Sequence, residues 1–249
     1  MYYEIHGSGD PLVLIHGGGS TINTSFGKVL PLFAKSFKVI AVELQAHGRT
    51  PDRDTPLSFQ QDADDVAALM HELKITKASF FGFSNGGSTT LQIGIRHPGI
   101  VDKLIVASAI YKRNGMPAWF WDFMKTADIS NMPQELKDDY LLLTMDPRGL
   151  QIMHDRDVQR MVTFKDWDEE YIKKITAPTL VISSDADVVR VEHAVEIFRL
   201  LPNGKLAIFP GVHGEFMGEI TTLRTNSRVY ELAVIIIEEF LHPPATSSN

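Results

Sequence analysis

The chain has 249 residues, of which 44% are hydrophobic and 22% are charged, and its formal net charge is -7. This length and composition suit one globular domain with a sizeable core. The negative charge and the lack of any Lys or Arg cluster argue against a nucleic-acid or anionic-membrane surface, since both need local positive charge.

Missing sequence features exclude further classes of site. The chain has no cysteine, so it has no disulfide framework, thiolate nucleophile or cysteine metal site. The longest apolar run near the C-terminus, residues 232–237, is too short to span a bilayer, and no signal peptide is visible. We therefore expect the chain as given in the cytoplasm, while export of a longer natural chain stays open.

Short apolar runs alternate with helical patterns along the first 110 residues. Strands are predicted at 2–6, 12–15, 38–42, 78–81 and 103–108, and helices at 26–34, 58–73 and 89–97. The helix at 58–73 begins with Ser58 as a cap and carries an apolar stripe. The strand at 12–15 runs into the glycine loop His16-Gly17-Gly18-Gly19.

The alternation breaks off at residue 111 and resumes at residue 179. The segment 111–175 shows helical pieces without a buried-strand pattern, which predicts a helical cap inserted into a single domain of residues 1–249. Strands follow at 179–183 and 205–209, helices at 191–200 and about 222–241, and a flexible tail at 243–249. The whole pattern predicts an α/β fold whose mostly parallel, doubly wound sheet has helices on both faces.

A candidate nucleophile lies where the strand at 78–81 gives way to a helix. The sequence there is Gly82-Phe83-Ser84-Asn85-Gly86, a serine between two glycines at a strand-to-helix junction. This G-x-S-x-G pattern is typical of a nucleophile elbow, a sharp turn that exposes the serine hydroxyl. Five residues alone are weak evidence, so the rest of the chain must supply a base, an acid and an oxyanion hole.

The strand ends in the second half of the chain supply a base and an acid. His213 occupies a loop that leaves the strand at 205–209, whereas His193 lies on a predicted helix as a surface residue and His242 lies near the tail. Asp187 follows the strand at 179–183 and is our predicted acid, while Asp185 is predicted to accept backbone N–H groups of the turn. An acid after the preceding strand is excluded, because residues 104–114 contain no Asp or Glu.

Two backbone N–H groups are predicted to form the oxyanion hole, those of Asn85 and Gly18, with Gly19 as the second choice for the latter. A phosphate-binding reading of the glycine loop is poorly supported, since the spacing is not G-x-G-x-x-G. His16 and His47 are predicted to brace the site by hydrogen bonds. No H-E-x-x-H or comparable spacing appears, so no metal is predicted.

These residues together resemble the α/β-hydrolase superfamily over essentially the whole chain. The matching pieces are residues 12–19, 46–50, 82–87, 178–187 and 211–213. The order Ser84, Asp187, His213 is also the family order. The chain departs from the family pattern at Glu43, Thr50 and Ser184, none of which belongs to the predicted triad.

The resemblance implies a serine-dependent hydrolase of carboxylic esters or lactones that acts through an acyl-enzyme and needs no cofactor. Its expected partner is a small-molecule ester, with no nucleic acid and no membrane, and the chain is expected as a monomer or homodimer. Perhydrolases, carbon–carbon bond hydrolases and hydroxynitrile lyases in the family reuse similar triads. A ligand receptor on the same fold is the alternative from another class.

The cap is the one indication of substrate. Six of the nine methionines fall in it, beside Trp119 and Trp121, and we predict that these two tryptophans contact the substrate. Thioethers and aromatic rings would form a broad apolar roof, although ordinary packing between cap and body would use the same residues. A bulky, mostly apolar ester would suit such a roof. The chain also resembles small family members that hydrolyse macrocyclic lactones, including macrolide antibiotics, which implies a macrocyclic lactone as substrate and a role in antibiotic resistance.

Overall fold

The computed structural model describes residues 1–222 and 227–242. The predicted tail at 243–249 lies outside the described residues, as does the part of the last predicted helix at 223–226. Within the described ranges, no helix is both long enough and apolar enough to cross a membrane.

One seven-stranded sheet forms the centre of the described part of the chain. Its strands are β1 (Tyr2–His6), β2 (Asp10–Ile15), β3 (Phe37–Glu43), β4 (Ala78–Phe83), β5 (Val101–Ala107), β6 (Thr179–Ser184) and β7 (Gly204–Phe209). The spatial order is β1-β3-β2-β4-β5-β6-β7. Only β1 is antiparallel to its neighbour, and the remaining neighbours pair in parallel. This confirms the predicted mostly parallel sheet.

Ten α-helices are present among the described residues. They are α1 (Ile22–Phe26), α2 (Leu30–Phe33), α3 (Phe59–Glu72), α4 (Asn85–Arg96), α5 (Ala118–Lys125), α6 (Gln134–Thr144), α7 (Pro147–Val162), α8 (Glu169–Lys173), α9 (Val191–Leu200) and α10 (Val229–Leu241). The helix predicted at 26–34 is two short helices instead. In a continuous helix, Pro31 would have no N–H to donate to the carbonyl of the preceding turn.

Alternating strand residues bury the two faces of the sheet under different helices. In β2, Leu12 and Leu14 join the core packed by α1, α2 and α10, while Val13 and Ile15 join the core packed by α3, α4 and α9. Successive strand side chains point to opposite faces, so each buried strand reads as a continuous apolar run. The sheet is therefore doubly wound, as predicted.

The segment between β5 and β6 contains α5 to α8, as the missing strand pattern at 111–175 indicates. Its last helix contributes Ile172 to the core shared with α3, α4 and α9, so α8 belongs with the helices that cover the sheet. The helices α5, α6 and α7 lie over the carboxyl ends of the strands, where they line a pocket.

Candidate active site

The backbone at Ser84 makes a strained turn between β4 and α4. Ser84 has φ 56° and ψ -119°, a backbone conformation that residues other than glycine rarely adopt. A Cβ at Gly82 would overlap the carbonyl of Gly86 and the Thr90 hydroxyl, and one at Gly86 would overlap the carbonyl of Ile15. Both positions therefore require glycine, because neighbouring backbone atoms leave no room for a side chain. This close approach is what the predicted elbow requires.

Ser84, His213 and Asp187 form one connected chain of hydrogen bonds. The Ser84 hydroxyl lies 3.1 Å from His213 Nε2, and His213 Nδ1 lies 2.7 Å from Asp187 Oδ1. Because the carboxylate accepts at Nδ1, that nitrogen carries the proton and Nε2 is left to accept from the serine. Such an arrangement can withdraw the serine proton.

Asp187 is held in place by two further donors. The Ser108 hydroxyl donates to Oδ2 at 2.5 Å, and the Val189 N–H donates to Oδ1 at 2.9 Å. Burial alone would raise the pKa of the Asp187 carboxyl, but His213 and these hydrogen bonds outweigh it and hold the pKa below its usual value. Ser108 follows β5 with φ 49°, and the sequence did not single it out, since an isolated serine after a strand is an ordinary loop residue.

Neighbouring carboxylates favour the protonated form of His213, which is the form that results when the imidazole takes the serine proton. Burial lowers the pKa of His213, but the carboxylates of Asp187 and Glu219 outweigh that effect and raise it above its ordinary value. The imidazole is partly buried and packs on Phe83, with the ring centroids 4.7 Å apart.

The other candidate residues lie apart from this chain of hydrogen bonds. Asp185 accepts the Gly211 N–H at 2.9 Å, which is the structural role predicted for it. His242 ends α10 and pairs with Asp10 at 3.0 Å. The prediction that His193 is a surface residue was wrong: its side chain is buried, stacks on Tyr111 and accepts the Tyr111 N–H at 3.2 Å. His193 therefore lies on the buried face of α9.

The geometry separates the two glycines considered for the oxyanion hole. The Gly19 N–H is already engaged, since it donates to Asp157 Oδ2 at 2.6 Å. Among the described residues, no acceptor takes the N–H of Gly18 or of Asn85. Gly18, Asn85 and Ser84 line the same pocket. Gly18 is therefore the better placed of the two, and its role in catalysis stays a prediction.

His16 and His47 lie fully buried behind the glycine loop, with their rings 4.9 Å apart. His16 Nδ1 lies 2.7 Å from the Gly17 carbonyl, and Nε2 accepts the Leu44 N–H at 3.0 Å. Burial and the neighbouring His47 lower the pKa of His16 to about 3. His16 is therefore neutral and braces the loop by hydrogen bonds, as expected.

The pocket above Ser84 has an empty volume of about 1000 Å³, counting its open mouth. Its wall from α5 is formed by Phe120, Phe123 and Met124, which follow helical spacing and share one face, and Ala127 just beyond the helix adds to this wall. Trp119 and Trp121, which were predicted to contact substrate, are not among the described residues that line this pocket. Trp119 is 61% exposed on another face of α5, and Trp121 is buried against Phe164 and donates to the Arg113 carbonyl.

The methionines of the cap divide between the pocket and other surroundings. Met116, Met124, Met132 and Met161 line the pocket. Met153 is fully buried in a small core with Tyr140 and Leu150, and Met145 is exposed. Some methionines of this segment therefore line the pocket, while others pack in a core or lie at the surface.

Comparison with known proteins supports the α/β-hydrolase fold. A sequence model of the alpha/beta hydrolase fold matches residues 10–132. Serine hydrolase BPHL from Homo sapiens is 38% identical over 115 residues, which cover 44% of this chain and 39% of the human protein's length. The 2-hydroxy-6-oxo-6-(2'-aminophenyl)hexa-2,4-dienoic acid hydrolase from Metapseudomonas resinovorans is 25% identical over 229 residues, or 82% of this chain and 77% of that protein.

A solved structure, the enol-lactonase from Burkholderia xenovorans LB400, superimposes with a TM-score of 0.74 at 19% identity. The superposition covers 96% of this chain and 95% of that one. At this identity the likeness shows the fold.

We predict that Gly82→Ala lowers the free energy of unfolding by more than about 1 kcal/mol, because the new methyl group has no space beside the Gly86 carbonyl. Gly99→Ala is the matched control, since nothing lies within 4 Å of a Cβ there. Urea denaturation of both variants measures the difference. Equal midpoints would show that the elbow relaxes freely and does not need this glycine.

Proposed function

This chain belongs to the α/β-hydrolase superfamily, and we propose that it is a serine hydrolase of carboxylic esters or lactones. The observation that carries the proposal is the continuous hydrogen-bonded chain from Ser84 through His213 to Asp187 at the base of an apolar pocket. The human relative is named a serine hydrolase and the Burkholderia protein an enol-lactonase, which supports the same reaction class.

The proposed reaction has two steps, formation of an acyl-enzyme and its hydrolysis, and Ser84, His213 and Asp187 take part in both. Ser84 Oγ attacks the ester carbonyl carbon while His213 Nε2 takes the hydroxyl proton, and the N–H groups of Gly18 and Asn85 stabilise the oxyanion. Collapse of this intermediate expels the alcohol, which receives the proton from His213, and leaves an acyl group on Ser84. Water then attacks the acyl carbon in the same manner and releases the acid.

The pocket lining indicates which esters would fit. Its walls are mostly methionine, phenylalanine and aliphatic side chains, and no Lys or Arg occurs among the described residues that line it. Such a surface accepts bulky apolar groups without fixing one shape. We therefore propose a bulky, mostly apolar ester or lactone as substrate. A macrocyclic lactone such as a macrolide is the finer form of this proposal.

A carbon–carbon bond hydrolase or a perhydrolase with the same triad remains the alternative. The Metapseudomonas relative is named for a dienoic acid, whose carboxylate would need a cationic partner on binding. Because the described lining residues supply no Lys or Arg, the pocket favours an ester over such an acid. A ligand receptor on this fold would be distinguished by a single slow turnover.

Ser84→Ala is expected to abolish ester turnover while the fold stays intact. Loss of the nucleophile in such a triad costs on the order of a million-fold in rate. The measurement is hydrolysis of a p-nitrophenyl ester together with stoichiometric labelling by a fluorophosphonate. Ser36→Ala is the control, since Ser36 is exposed in a turn between α2 and β3. A folded Ser84→Ala protein that still labels and turns over would end the serine-hydrolase proposal.

Asp187→Asn is expected to cost about ten-thousand-fold in kcat, since the amide leaves His213 in the wrong tautomer. Asp185→Asn keeps an oxygen that can accept the Gly211 N–H, so its kcat should stay within a few-fold of the wild-type value.

In the wild type, activity should fall as the pH drops through a His213 pKa above the ordinary value of about 6.5. In Asp187→Asn that acid limb should move to lower pH, because the main group that raises this pKa is gone. Reversed losses in the two variants would reassign the acid.

Phe123→Ala is expected to raise KM about tenfold for a bulky apolar ester or macrolactone and to change acetyl-ester hydrolysis little, because the ring forms part of the pocket wall. Trp119→Ala is the matched control on the same helix, since Trp119 is exposed outside the pocket. Steady-state kinetics with both substrates give the comparison. If Phe123→Ala affects the two esters equally, the size preference must be abandoned.

A further inference from the structure

A carboxylate from the cap reaches the loop that is proposed to hold the oxyanion. Asp157 belongs to α7, and its Oδ2 accepts the Gly19 N–H at 2.6 Å. Its Oδ1 lies 3.5 Å from Asn85 Nδ2, and a Cβ built on Gly18 would come within 3.2 Å of Oδ2. One buried side chain of the cap therefore lies against both segments that carry the proposed oxyanion donors.

The partner of Asp157 is a charged histidine. His47 Nε2 lies 2.8 Å from Asp157 Oδ2, and His47 Nδ1 lies 2.8 Å from the Gln45 carbonyl oxygen. A carbonyl and an ionised carboxylate can only accept hydrogen bonds, so both ring nitrogens of His47 must carry protons. Its neighbour His16 has one donating and one accepting nitrogen and is neutral, as described above.

Two more buried charges complete the cluster behind the loop. Arg160, one turn along α7, pairs with Asp62 of α3 at 2.9 Å and lies 3.6 Å from Asp157 Oδ1. Burial would raise the pKa of the Asp157 carboxyl, but His47, Arg160 and the Gly19 N–H hold it well below the usual range. Removing one member of such a set leaves a buried charge uncompensated.

We infer that Asp157 is a positioning residue that couples the seating of the cap to the oxyanion hole. Its ion pair with His47 fastens α7 to the body, and its bond to the Gly19 N–H orients the loop so that the neighbouring Gly18 N–H stays free for the substrate oxyanion. This inference rests on the proposed function, because it assigns Asp157 a purpose in ester hydrolysis. Asp157 also lines the pocket, but the action inferred for it is through the loop and not by contact with the reacting atoms.

This role has a pH signature that a merely structural contact lacks. Burial lowers the pKa of His47, but Asp157 outweighs it and raises that pKa above its ordinary value. The charged groups around His47 are Asp157 and Arg160 on α7 and Asp62 on α3, with neutral His16 beside it. The ion pair is therefore complete below the raised pKa and is lost as the pH rises through it. Activity should therefore fall on an alkaline limb at the pKa of His47, whereas protonation of His213 produces the acid limb.

The test compares Asp157→Asn with Asp155→Asn, a neighbouring carboxylate of the same helix whose side chain is 61% exposed. For p-nitrophenyl acetate, Asp157→Asn should lower kcat by about 10- to 100-fold, since a donor displaced by about 1 Å loses most of its effect. KM should stay within about threefold. The affinity for a boronic acid that mimics the tetrahedral intermediate should fall in parallel with kcat, and the alkaline limb should disappear. Asp155→Asn should match wild type in all four measurements.

A folded Asp157→Asn protein with wild-type kcat, boronic acid affinity and alkaline limb would overturn the inference. If circular dichroism shows that this variant does not fold, His47→Gln removes the charged partner instead and is judged by the same criteria. Fluorophosphonate labelling of the wild type separates the two levels of proposal. If the wild type is not labelled, both proposals are overturned. If the wild type is labelled but Asp157→Asn behaves like the wild type in these measurements, only this inference is overturned.

Discussion

The close approach of the elbow to the end of β2 is the constraint on which the site depends. Strands β2 and β4 pair in parallel, with Ile15 opposite Gly82, and the turn at Gly86 then lies so near the Ile15 carbonyl that no side chain fits between them. A Cβ on Gly17 would also lie only 3.3 Å from Ser84 Cβ. Ser84 and the glycine loop are thus placed together by backbone packing, while His213 and Asp187 come from other strand ends at the same edge of the sheet.

Two histidine–aspartate pairs differ in chemistry because the second nitrogen of each ring has a different partner. In His213–Asp187, the far nitrogen of the imidazole faces the Ser84 hydroxyl, so the ring can take and return a proton. In His47–Asp157, the far nitrogen faces a backbone carbonyl that can only accept, so the ring keeps both protons. The same residue types therefore form a pair suited to proton transfer in one place and a fixed ion pair in the other.

The cap is attached to the body by a buried apolar cluster around Phe59 and Trp121 and by polar contacts beside the pocket. Asp139 of α6 accepts from Thr21 and Asn23 at 2.5 Å each, and Arg156 of α7 donates to Asp52 at 2.7 Å. Hydrogen bonds and ion pairs have directional geometry, so they define where α6 and α7 lie over the strand ends. The flexible methionine side chains that line the pocket are then left to adapt to a bound ligand.

Much of this protein follows from local sequence patterns. The alternation of short apolar runs with helices determined the mostly parallel sheet, and the residues at its strand ends determined which serine, aspartate and histidine would meet, because parallel strands bring their carboxyl ends to one edge. Tertiary packing alone decided the rest. Asp157 and His47 are 110 residues apart, and nothing in a polar helical stretch marks Asp157. Three further features depend on how each element packs against the sheet: the face of α5 that lines the pocket, the burial of His193, and the contact of Ser108 with Asp187. Contacts between distant residues determine this packing, so local spacing in the sequence does not reveal it.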